Sequence, residues 1–197
     1  MADTTESGGG GLGSLMRIGA WGGAAVLFLL PVAAERFWEE MGWSAGDFVV
    51  WGAMLLAACG AFELAMRMSG SLAYRAGAAV AVGAAFLLVW ISLAVGIIGS
   101  EDDPANLMYG GVLAVGIAGA VVARFRPAGM ARALAAMGAA QALAAVIALA
   151  AGWGAGTENW PQVIVVLNGV FVALWFGSAW LFRKAARERA AAAAAAA

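Results

Sequence analysis

AGAAVAVGAAFLLVWISLAVGIIG, residues 76–99, carries no charged side chain over 24 positions. At 1.5 Å per residue that is enough helix to cross a hydrocarbon core of about 30 Å. Lipid offers no partner to backbone N–H and C=O groups, so a spanning run of this kind satisfies them internally, as a helix. Five further runs share its character: Ile18–Ala34, Phe48–Met66, Ala105–Ala123, Ala133–Gly154 and Val163–Phe182. The predicted fold is all-α, a six-helix transmembrane bundle over residues 17–184. Residues 1–16 (MADTTESGGGGLGSLM) are polar and glycine-rich and read as a flexible tail. Residues 185–197, basic and alanine-rich, read as a helical extension of the last span.

Composition supports the same class. Charged residues make up 12 % of the chain, half the roughly 25 % of a soluble domain. A mean hydropathy of +0.89 means more apolar surface than so small a globule can hide, so much of it faces an apolar solvent. The chain has no histidine and one cysteine, Cys59, inside an apolar run where it reads as a small hydrophobe. Haem ligation, histidine-based zinc or copper sites, histidine general bases and disulfides within the chain are thereby excluded. No nucleophile–base pair, P-loop or dinucleotide fingerprint is present, and Gly8–Gly11 is followed by no Lys-Ser or Lys-Thr. The sequence therefore predicts no enzyme, no metal or cofactor site and no nucleic-acid partner. A bound lipid or other hydrophobic ligand, held by aromatic contacts such as Trp90 or Trp175, would leave no motif. Val32-Ala33-Ala34 resembles a signal-peptidase site, but Asp3 and Glu6 precede it with only Arg17 positive, so the segment reads as retained.

Charge placement sets the expected orientation. In a six-span arrangement Arg17, Arg67, Arg75, Arg124, Arg126, Arg132, Arg183, Lys184, Arg187 and Arg189 share one side, and only Arg36 lies on the other. That second side holds Glu35, Glu39, Glu40, Asp47, Glu101, Asp102, Asp103 and Glu158. The positive-inside rule makes the basic side cytoplasmic, which predicts a bacterial inner-membrane protein with both termini inside. Trp38, Trp43, Trp51, Trp153 and Trp160 then fall at the outer ends of the spans, and Trp21 and Trp180 at the inner ends, as two aromatic belts.

Polar residues within or beside the spans are few. The outer loop SEDDPAN, residues 100–106, offers Glu101, Asp102, Asp103 and Asn106 as oxygen ligands for a hard cation. The competing reading is stronger: Asp103 before Pro104 has the pattern of a capped helix start. Glu63 is the one carboxylate inside an apolar run, and Arg67 four residues on predicts a boundary ion pair, with Arg75 as a candidate third member. Deeper, Ser92, Gln141 and Asn168 offer either interhelical hydrogen bonds or the lining of a polar path, and Ser178 belongs with them. Gly19 and Gly23 form a GxxxG, and Gly169, Ala173 and Gly177 a small-residue ladder, both suited to close helix packing.

GSEDDP (99–104) returns as GTENWP (156–161), and GAA recurs at 23–25, 83–85 and 138–140. The spacing suggests three helical hairpins, residues 17–67, 75–126 and 132–184, although any series of two-span hairpins with short loops has about this period. AVGIIGSEDDPANLMYGGVLAVG (94–116) followed by ARFRPAGMARAL (123–134) resembles an uncharacterised family of small bacterial six-span membrane proteins, usually left as hypothetical, over about Asp47 to Leu149. The chain departs from that family at Ser92 and Asp103, where the family often has Asn. The resemblance implies a fold and no activity. The expected role is an accessory, scaffold or oligomer-forming subunit, in contact with membrane lipids and with copies of itself or a larger complex. The alternative is a small-solute or ion transporter or channel lined by Gln141, Asn168 and Ser92.

Overall fold

The computed structural model describes residues 8–35, 37 and 42–197. Arg36, Trp38, Glu39 and Glu40, as well as Asp3 and Glu6, lie outside the described residues. The described chain is all-helical: α1 (Gly8–Ala34), α2 (Ala45–Met68), α3 (Leu72–Ala94), α4 (Leu107–Val122), α5 (Pro127–Ala150) and α6 (Gln162–Ala195). A short 3₁₀ turn, Pro104–Asn106, leads into α4. All six helices, with that turn counted in the fourth, are long and apolar enough to cross a membrane. Large apolar side chains point outward throughout, among them Leu56, Ile117, Val166 and Trp180. Apolar surface on this scale requires lipid around it.

Helix α1 begins at Gly8, inside the stretch expected to be a tail. Extending an existing helix needs no new nucleation, so glycines that would not start a helix are drawn into one. The opposite correction applies to α3. Its apolar run was expected to continue to Gly99, but the helix stops at Ala94. Gly96 and Gly99 both adopt positive φ, +72° and +68°, which breaks the helical repeat, and Ile97 and Ile98 turn back into the protein as buried residues.

The chain divides into two compact units, one ending at Met68 and one running Ser69–Ala197. The first is the antiparallel pair α1–α2. Pro31 lies inside α1 and has no N–H to give the carbonyl of Leu27 one turn earlier. Trp51 of α2 supplies the missing donor: its Nε1 lies 3.0 Å from the Leu27 oxygen. Trp51 is thus buried. Cys59 Sγ, also buried, points at the carbonyl of Ala20 at 3.6 Å.

In the second unit α5 and α6 form the central pair, α3 packs on α6 and α4 on α5, while α3 and α4 meet only slightly. Absent side chains set the closest approaches. A Cβ at Gly119 of α4 would stand 2.6 Å from that of Ala133 on α5, and one at Gly77 of α3 would stand 3.0 Å from the Phe182 ring on α6. Tyr74 packs edge-on against Phe182, centroids 4.9 Å apart, and donates its hydroxyl to the carbonyl of Phe125 at 3.0 Å. That contact ties α3 to the turn between α4 and α5, where Arg124 and Phe125 both adopt positive φ.

Candidate functional site

The mid-membrane amides come together in the second unit. Gln141 points from α5 into the interface with α6, and its Nε2 donates to Asn168 Oδ1 at 2.8 Å. Asn168 Nδ2 donates onward to the Tyr109 hydroxyl on α4 at 3.1 Å and to the carbonyl of Ile164, one turn back on α6, at 2.8 Å. Trp175 Nε1 closes the other end on Gln141 Oε1 at 3.4 Å. The four side chains are almost wholly shielded, at 0 % exposure for Gln141 and Trp175 and 2 % for Asn168 and Tyr109. Membrane burial leaves an amide no solvent partner, so each finds a neighbour, and the chain of bonds fixes the rotation of α4, α5 and α6 against one another.

Tyr109 and Trp175 are the members that sequence reasoning missed as polar participants. Both lie in apolar runs as ordinary aromatics, and the only available signal was that a buried hydroxyl or indole N–H wants a partner. Ser92 does not join the group. Its hydroxyl is shielded from solvent and has no hydrogen-bond partner among the described residues. Ser178 is spent elsewhere, donating to the Gly77 carbonyl at 2.7 Å.

The loop between α3 and α4 is organised by Asn106, not by its acids. Asn106 Oδ1 accepts from the backbone N–H of Ile97 and Ile98 at 2.9 and 3.0 Å. Its Nδ2 lies within donating distance of the carbonyls of Ile98, Ser100 and Asp103, at 3.0, 2.7 and 3.2 Å. Asp103 Oδ1 accepts from Ala105 N at 2.9 Å, with Pro104 in the first turn, which is the expected capped start. Asn106, proposed as a cation ligand, is therefore engaged with main chain on both its amide atoms. Glu101 and Asp102 are exposed, and among the described residues no three Asp, Glu, Cys or His side chains gather as ion ligands.

In the first unit, near the C-terminal end of α2, Glu63 accepts from Arg67 Nε at 2.8 Å, the expected intrahelical pair. Arg17 joins them as a further member. Arg17 grips the same carboxylate through Nε at 2.7 Å and through its Nη2. The antiparallel hairpin brings Arg17 back to the end of α2. In the second unit, Arg75 donates through Nε to the carbonyl of Ser69 at 2.9 Å.

Gly19, Gly23, Gly169 and Gly177 have nothing within 4 Å of where a Cβ would stand, and Gly169, Ala173 and Gly177 form an exposed face on α6. Tight helix contacts rest instead on Gly77, Gly116, Gly119 and Gly138. Six apolar helices, outward-facing hydrophobes and a core whose amides bond to each other define a multi-pass integral membrane protein. No family model, curated protein or solved structure matches the chain.

Proposed function

We propose that the protein is a non-enzymatic accessory or scaffold subunit of a bacterial inner membrane, with both termini cytoplasmic, that associates with copies of itself through α6. The observation that carries this reading is the exposed ladder Gly169, Ala173, Gly177, a strip of small residues on an otherwise bulky apolar helix. In lipid, where apolar surface gains nothing by leaving apolar solvent, helices associate through such strips because backbones approach closely there. The buried amides support the same reading, since Gln141 and Asn168 are bonded to each other. Oxidative cross-linking in native membranes tests it, using Ala173→Cys with Cys59→Ala. A cross-linked dimer that Gly169→Leu and Gly177→Leu abolish is the expected outcome. A chain that stays monomeric in membranes overturns the reading.

A second reading, a small transporter or channel, draws on the unpartnered Ser92 hydroxyl. Ion or solute flux into proteoliposomes that Ser92→Ala changes would favour it.

A further inference from the structure

We infer that the α1–α2 unit carries a binding site for one anionic phospholipid, its headgroup on Arg17 and Arg67 and one acyl chain in the groove between the two helices. The groove encloses about 330 Å³, within the usual range of a ligand cleft. Its α1 wall is formed by Trp21, Ala24, Ala25 and Phe28, and its α2 wall by Gly52, Leu55 and Leu56. The small residues make the hollow and the aromatics frame it. Phe28 can lie against α2 because Gly52 has no side chain: a Cβ there would stand 3.1 Å from the ring.

The charge at one end points to the occupant. Positions 17, 21, 24, 25 and 28 are spaced as one stripe along a helix, so Arg17 stands one turn above the groove on its own wall. At 1.5 Å per residue, Arg17 to Phe28 spans about 16 Å, matching the ~15 Å depth of one leaflet's hydrocarbon. Arg17 and Arg67 share the single carboxylate of Glu63, so the cluster carries a net positive charge. Arg67 spends only Nε on Glu63, and its Nη groups make no hydrogen bond among the described residues. Its side chain is 69 % exposed. A guanidinium held by one edge, with the other edge open at the hydrocarbon boundary, suits a lipid phosphate. A second copy of the chain would bring its own acids or nothing to this cluster, whereas an anionic phospholipid supplies both the charge and the chain.

Native mass spectrometry of the full chain in non-ionic detergent tests the site, with dioleoylphosphatidylglycerol and dioleoylphosphatidylcholine offered in equal amounts. The wild type is expected to retain one phosphatidylglycerol, at least tenfold in preference to phosphatidylcholine. Arg67→Gln, an exposed change, reduces that preference to near parity. Ala25→Trp, which fills the groove, removes retention of either lipid. Equal retention of the two lipids by the wild type overturns the inference, as does unchanged phosphatidylglycerol binding in Arg67→Gln. If Ala25→Trp does not fold, a phosphatidylglycerol bearing a photoactivatable group in its acyl chain decides the matter on the wild type. Labelling within 21–28 or 52–56 sustains the groove, and labelling confined to other helices, or a second protein chain cross-linked there, refutes it.

Discussion

The indole N–H of Trp51 donates to the carbonyl of Leu27 at 3.0 Å, and that carbonyl is the one to which Pro31 has no N–H to give. Helix α2 thus repairs a defect in α1. Trp51→Phe is expected to destabilise the protein by about 1–2 kcal/mol, the cost of orphaning a shielded acceptor. Pro31→Ala restores the N–H within α1, so the same Trp51 change should cost clearly less in that background. Thermal unfolding of the four proteins in detergent measures the difference, and strictly additive effects would contradict the repair.

Asn106 holds the α3–α4 loop through contacts to five backbone groups, from Ile97, Ile98, Ser100 and Asp103. Asn106→Ala is expected to cost roughly 2–4 kcal/mol, because several buried backbone groups lose their partner at once. Asn106→Asp keeps the acceptor and loses the donors, and its melting temperature should fall between the two. Glu101→Gln and Asp102→Asn should leave stability unchanged with and without calcium.

Gln141→Leu and Asn168→Leu each break the buried chain and strand a partner. Membrane hydrogen bonds average about 0.6 kcal/mol and reach about 1.7, so the double-mutant coupling should fall in that interval. Reversible unfolding of both singles and the double supplies the cycle. A coupling of zero would mean that the amides meet without contributing.

The glycines divide into two groups with opposite expectations. Gly119→Leu and Gly77→Val intrude on Ala133 and on the Phe182 ring respectively, and each should destabilise by about 1–3 kcal/mol or more, as overpacking does. A Cβ at Gly23 or Gly169 would meet nothing within 4 Å among the described residues, and Gly23→Leu and Gly169→Leu should leave the melting temperature of the isolated chain nearly unchanged. Melting temperatures of the four variants in one detergent make the comparison.

The contrast between these glycines shows what the sequence could and could not say. Spans were legible because run length and composition alone require helices, and the capped start at Asp103-Pro104 was legible because it is local. The pairing of Glu63 with Arg17 was not, since those residues lie 46 positions apart and meet only through the hairpin. A GxxxG such as Gly19–Gly23 records that a backbone can be approached, not that anything approaches it. Gly119 and Gly77 carried no such motif, yet neighbours crowd them. Tyr109 was hidden by its chemistry, for an aromatic in an apolar run looks like core until an amide from another helix reaches its hydroxyl. The rescue of Leu27 had a legible half: a proline inside a span marks the carbonyl four residues earlier as needy, though nothing local names its donor.

Asn106 grips only main chain, and this separates the course of the α3–α4 loop from the identity of its side chains. Positions 101 and 102 point away from the clamp and are exposed. They form a mounting plate whose fittings can be exchanged: a fluorophore, a spin label or a short epitope placed there should report on the protein without bending the turn that carries it.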